Sequence, residues 1–222
     1  MTVRLAVFDC DGTLVDSQAN IVRAMEDCFA RHRLDPPCRH ATRRITGLSL
    51  LECMRTLLPD ADAALHARLA EDYKLAFQRL RASGELADEP LFPGVREGLA
   101  EIEARGWLLG VATGKSDRGL KLCLEHHGIH PHFITLQTAD RHPSKPHPSM
   151  LHAAMAEAGA MPGATVMIGD THFDMAMGVA AGVRPIGVDW GYHEAAELHA
   201  AGAHAVAGRF DDLLHLLEAQ TA

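Results

Sequence analysis

The sequence lacks three things that would place it in a specialised class. There is no surplus of positive charge: 29 acidic residues face 21 lysines and arginines, a formal charge of -8. A phosphate-backbone binder normally shows the opposite balance, so nucleic acid is disfavoured as the main partner. There is no apolar run near the ~20 residues needed to span a bilayer. The short apolar stretch after Met1 ends at Asp9, too early for a signal peptide. There is also no disulfide framework, because Cys10, Cys28, Cys38, Cys53 and Cys123 are odd in number, scattered and without a CxxC spacing. That pattern fits free thiols in a reducing compartment, so the chain reads as cytoplasmic, with no membrane partner.

What is present is ordinary globular material: 222 residues, 24.0 kDa, 47% hydrophobic and 23% charged. This is enough to bury a core without staples, either as one domain or as a core with a smaller insert. Five short apolar runs recur, at Leu5 to Phe8, Leu108 to Ala112, Phe133 to Leu136, Val166 to Ile168 and Val183 to Val188. Helical-length stretches separate the later ones, bounded by Pro93-Gly94, Gly106 and Pro148. Buried strands alternating with helices predict an α/β fold, a doubly wound and mostly parallel sheet. One region breaks the alternation. Between Val15 and about Ala87 three stretches have helical periodicity: Ile21 to Phe29, Leu50 to Leu58 and Leu65 to Leu80. The expected organisation is a core of residues 1–15 and 86–222 with an all-helical insert at 16–85.

Ligands of an open parallel sheet bind outside the carboxyl ends of its strands. The residues there are Asp9-Cys10-Asp11-Gly12-Thr13, then Thr113-Gly114-Lys115, then Lys145 after a loop, then Gly169-Asp170 through Asp174. Asp9 and Asp11 are two apart and can address one ligand as the strand ends. Carboxylates gathered this closely repel one another, and a phosphate still more, unless a divalent cation enters. Hard oxygen donors favour Mg2+ over Zn2+.

The four motifs together, with a helical insert after the first strand, resemble the haloacid dehalogenase superfamily, and its phosphoglycolate phosphatase branch in particular. The resemblance covers essentially the whole chain. It implies a Rossmann-like core, a cap domain, Mg2+ and hydrolysis of phosphate monoesters through an aspartyl-phosphate. It further implies that Asp9 is the nucleophile and Asp11 the acid and base. Gly12, Thr113, Gly114 and Lys145 would bind phosphate. Asp9, the Asp11 carbonyl and Asp170 would hold the metal, with Asp174 on the metal's waters. The partner would be a small phosphorylated metabolite, and monomer and homodimer are both open.

Each residue also has an ordinary role to play. Aspartates at strand ends commonly cap helices, and so could Thr113; an acid such as Asp174 suits a first helical turn. Asp11 favours phosphoryl substrates over haloacids, because a departing alcohol needs a proton. None of the four lysines lies in the Arg39 to Leu50 loop, which argues against a phosphonatase-like Schiff base. Sugar-phosphate mutase and pyrophosphatase remain as alternatives within the family. A phospho-accepting receiver or a binding protein is the alternative of another class. Arg43, Arg44 and Gly47 are the candidate specificity positions of the cap, and Lys115 and Ser116 could face the substrate. The histidines at 126, 127, 130 and 132 have no standard zinc spacing, while His142, His147 and His172 lie beside the motifs.

Overall fold

The run Arg4–Phe8 is the first strand, β1, and its side chains divide the core in two. Ala6 and Phe8 join one apolar cluster, while Leu5 and Val7 join another on the opposite face. The two-residue period of a strand requires that split. The computed structural model describes residues 2–218. Among these, β1 is joined by β2 (Trp107–Thr113), β3 (Phe133–Thr138), β4 (Thr165–Gly169), β5 (Arg184–Val188) and β6 (Ala205–Ala207). The sheet order is β3-β2-β1-β4-β5-β6, and each adjacent pair is parallel. The expected α/β doubly wound sheet is therefore observed. Five of its strands match the five apolar runs; β6, only three residues long and half-buried at its first two positions, carries too little apolar signal to stand out.

Helices α5 (Val95–Ala104), α6 (Asp117–His126) and α10 (Phe210–Glu218) cover the face reached by Phe8. Helices α7 (Ser149–Ala158) and α8 (His172–Ala180) cover the other. The short α9 (Ala195–Ala200) lies between β5 and β6. Order reverses between β1 and β4, which marks their carboxyl ends as the crevice where such sheets take ligands.

Four helices fill the stretch between β1 and α5: α1 (Gln18–Arg31), α2 (Arg39–Ile45), α3 (Leu50–Leu57) and α4 (Ala63–Ala82). Their apolar stripes meet in a cluster of their own around Phe29, Met54 and Leu69, with Phe173 of α8 packed against it. The Arg39 to Leu50 segment, expected as a loop, folds largely into α2. With only Thr42 and Ile45 buried, its seven residues give no readable periodicity. The two links to the sheet run side by side. Asp16 N–H donates to the Pro90 carbonyl (2.9 Å) and Phe92 N–H to that of Leu14 (3.0 Å).

Phe210 stacks on Phe8 with 6.2 Å between ring centroids, and a Cβ at Gly98 would come within 2.2 Å of its ring. Phe210→Ala should therefore cost about 3–5 kcal/mol, read as a drop in the urea midpoint. A loss below about 1 kcal/mol would contradict this packing.

Candidate active site

The end of β1 turns sharply. Gly12 N–H donates to the Val15 carbonyl (2.9 Å), and the Leu14 and Val15 amides both bond the Cys10 carbonyl. This small loop needs Gly12 at φ 82°, and a Cβ there would lie 2.2 Å from Asp170 Oδ2. Glycine is required on both counts. Asp9 and Asp11 leave the strand on either side of Cys10, whose thiol turns into the core, 3.9 Å from that of Cys123.

Asp9, Asp170 and Asp174 are fully buried, and each offers a carboxylate oxygen within 4.8 Å of the others. Lys145, 2% exposed, reaches into this group. Its Nζ lies 2.9 Å from Asp9 Oδ1 and 2.6 Å from Asp174 Oδ1. Burial opposes charge on Lys145, but the two carboxylates outweigh it and hold the ammonium above the usual lysine range. Burial, then the neighbouring acids, raises Asp9 to about 7 despite Lys145. Asp170 is raised well above the carboxylate range by burial and by Asp9 and Asp174. The trio is thus short of positive charge.

The remaining oxygens are spoken for, with one exception. Asp170 accepts from the Thr13 hydroxyl (2.8 Å) and the Tyr192 amide (2.9 Å). Asp174 accepts from Lys145 on one oxygen and from Thr171 N–H and hydroxyl on the other. It sits at the third position of α8 and forms a capping box with Thr171, so its ordinary role holds alongside its place in the cluster. Asp9 Oδ1 accepts from the Cys10 amide (2.6 Å) and faces Lys145. Asp9 Oδ2 is buried with no hydrogen-bond partner. A buried, unpartnered carboxylate oxygen in an electron-rich trio of hard donors is the setting a divalent cation fits.

The second strand end adds Thr113, buried, whose Oγ1 accepts from the Lys115 amide (3.3 Å). It does not cap α6; Ser116 does, accepting from Gly119 N–H at 3.1 Å. Lys115 Nζ instead pairs with Asp11 Oδ1 at 2.8 Å. The Ser17 hydroxyl also donates to Asp11 Oδ1, and the Tyr192 hydroxyl lies 3.5 Å from Ser17 Oγ.

The helical insert closes over these groups through Gly47 and Leu48. A Cβ on Gly114 would fall 2.4 Å from the Leu48 carbonyl oxygen, and one on Gly47 3.9 Å from Asp9 Oδ2. Of the three insert positions singled out in the sequence, only Gly47 reaches the site. Arg43 turns to the β5–α9 loop, donating to the Gly191 and Tyr192 carbonyls. Arg44 pairs with Glu197 at 2.5 Å. Both fasten the insert to the sheet. His172 contacts His193 (Nδ1 to Nδ1, 2.9 Å) at this junction, and His142 bonds Ser149 (2.8 Å) and Gln137 (2.9 Å).

Ser17, Gly191 and Tyr192 support the site from outside the four sequence motifs, as Thr13 does from within the first. Gly191 lets its backbone approach, since a Cβ there would lie 2.2 Å from Asp170 Cβ. A signal existed, because Trp190-Gly191-Tyr192 follows β5 as directly as the other groups follow their strands.

Comparison with known proteins points the same way. Residues 6–188 match the model of a family described as haloacid dehalogenase-like hydrolase. A Dickeya dadantii protein named "Probable phosphatase IndB" is 35% identical over 216 residues, spanning 95% of this chain and 91% of its own. A Chromobacterium violaceum phosphoglycolate phosphatase is 34% identical, spanning 89% and 90%. Among solved structures, a haloacid dehalogenase-like hydrolase from Bacteroides fragilis superposes with a TM-score of 0.87 at 25% identity, over 96% of this chain and all of its own.

The raised Asp9 carboxyl has a measurable consequence. Between about pH 4 and 7 the folded protein retains a proton that the unfolded chain releases, so rising pH removes stability. Asp9→Asn has no such proton to lose. With chelator present, its stability relative to wild type should grow from pH 5 to pH 7.5, measured by urea unfolding. A pH-independent difference would show that Asp9 is ionised throughout.

Proposed function

We propose, for a chain that belongs to the haloacid dehalogenase-like hydrolase family, that it is a phosphatase of small phosphorylated metabolites working through an aspartyl-phosphate. The observation that carries this reading is Asp9 itself. Its carboxylate is buried beside Lys145 with one oxygen unbonded, so that its two oxygens can be divided between a cation and phosphorus.

In the first half-reaction the Asp9 carboxylate forms a bond to phosphorus and the ester oxygen leaves. Asp11 gives that oxygen a proton, so the product is the free alcohol. In the second, Asp11 takes a proton from water as the water oxygen attacks phosphorus, releasing Asp9 and inorganic phosphate. Lys115 and Ser17 fix the Asp11 carboxyl for both transfers. Thr113, the Gly114 amide and Lys145 hold the phosphoryl oxygens where negative charge must be met. Gly12 keeps the chain clear of them. Asp9, Asp170 and the Asp11 carbonyl would hold Mg2+, with Asp174 ordering its waters; when bound it supplies the positive charge the carboxylates and the phosphate lack.

Residues 16–85 act in this reading as the cap and residues 1–15 with 86–222 as the core. Closure through Gly47 and Leu48 keeps bulk water from the first transfer. The names of the relatives, phosphatase and phosphoglycolate phosphatase, support a small monoester as substrate.

Release of phosphate from p-nitrophenyl phosphate should require Mg2+ and stop in EDTA. Asp9→Asn should lose at least about a thousandfold in kcat, and Asp11→Asn about a hundredfold or more on alkyl phosphates, whose leaving group needs a proton. Turnover by Asp9→Asn at the wild-type rate would exclude the aspartyl-phosphate route. Metal addition should also raise the melting temperature of the wild type, and Asp170→Asn should abolish that rise.

A further inference from the structure

Between the helical insert and the sheet lies a cavity of about 940 Å³ that opens onto Asp11 and Gly114. It lies at the upper end of the roughly 300–1,000 Å³ that holds drug-sized ligands. The leaving group of a very small ester would leave most of it filled with water.

The lining indicates what fills it instead. Ile21 and Met25 of α1 and Tyr73 and Phe77 of α4 form an apolar wall on the insert side, and Leu122 of α6 faces it from the core. Tyr73 and Phe77 lie 5.6 Å apart between ring centroids, tilted by 56°. Phe77 and Leu122 are only half-buried, so apolar surface that a ligand could cover is wet. Charge does not select strongly here, because four lysines and arginines on the lining are offset by five aspartates and glutamates. Selection falls to shape and apolar contact. One polar group is left over. Tyr73 is 8% exposed, and its hydroxyl makes no hydrogen bond among the described residues.

We infer that the preferred substrates are phosphate monoesters of alcohols carrying a ring or a comparably bulky apolar body. The body packs between Phe77 and Leu122, and the Tyr73 hydroxyl is free to bond a polar group on it. This rests on the phosphatase reading for the reaction and adds the nature of the alcohol.

The test compares ethyl phosphate with 2-(1-naphthyl)ethyl phosphate, both esters of primary alcohols, so that intrinsic leaving-group reactivity is closely matched. The naphthyl ester should show at least about tenfold higher kcat/KM, mostly through KM. Phe77→Ala and Leu122→Ala should remove most of that preference while leaving ethyl phosphate turnover unchanged. Equal kcat/KM for the two esters, or variants that slow both alike, would overturn the inference. Calorimetry on Asp9→Asn separates binding from chemistry, and tenfold tighter binding of the naphthyl ester is expected. If the wild type turns over neither ester, the phosphatase reading fails and this inference with it, whichever ester Asp9→Asn binds. If the wild type hydrolyses both without preference, the phosphatase reading stands and this inference fails.

Discussion

Lys145 sits fully buried between Asp9 and Asp174, and the rest of the site is arranged around that contact. A lone ammonium in such a place would be costly, as would lone carboxylates. Together they tolerate burial because each charge has a partner within hydrogen-bond distance. The balance is deliberately incomplete in one direction: one cation serves three buried acids. Burial, with the excess negative charge, raises Asp9 and Asp170 and leaves the cluster receptive to a further cation.

That demand propagates outward. Asp170 must be held close to Asp9 despite repulsion, and Thr13 and the Tyr192 amide hold it. Gly12 and Gly191 lie so close to it that neither position has room for a side chain. The backbone thus packs directly against the carboxylates, which excludes water and keeps the local dielectric low. The helical insert obeys the same constraint from above, with Gly47 near Asp9 and Gly114 against the Leu48 carbonyl. Its distance from the sheet is fixed at one side by Arg43 and Arg44 and at the other by the paired links at Leu14 to Asp16 and Pro90 to Phe92. The large cavity is what this attachment leaves open between the two layers.

Arg43 and Arg44 show how far residue type alone can carry an expectation. Two adjacent arginines in an insert over a cluster of carboxylates suggest contact with a bound anion, but α2 turns Arg43 toward the β5–α9 loop and Arg44 toward Glu197 of α9. Seven residues with two buried positions carry no clear period, so the sequence pattern does not mark this helix. Lys115 shows the opposite case: it follows Thr113-Gly114 in sequence and does reach the site, by way of Asp11. The histidines share no common role. His172 joins the insert junction and His142 a loop network, while His126 and His127 edge the cavity.

The sequence by itself determined the layered fold, because buried strands and amphipathic helices announce themselves through periodicity. It also determined the positions of Asp9, Asp11, Thr113, Lys145, Asp170 and Asp174, since the sheet brings its strand ends to one edge whatever the details. Tertiary structure alone decided which oxygen of Asp9 stays free, that Asp174 serves both a helix cap and the charge cluster, and that Tyr192 and Ser17 support the site. It decided, too, the size and apolar wall of the cavity between insert and sheet. Those properties depend on distances between segments far apart in the chain, and no local pattern of residue types encodes a distance.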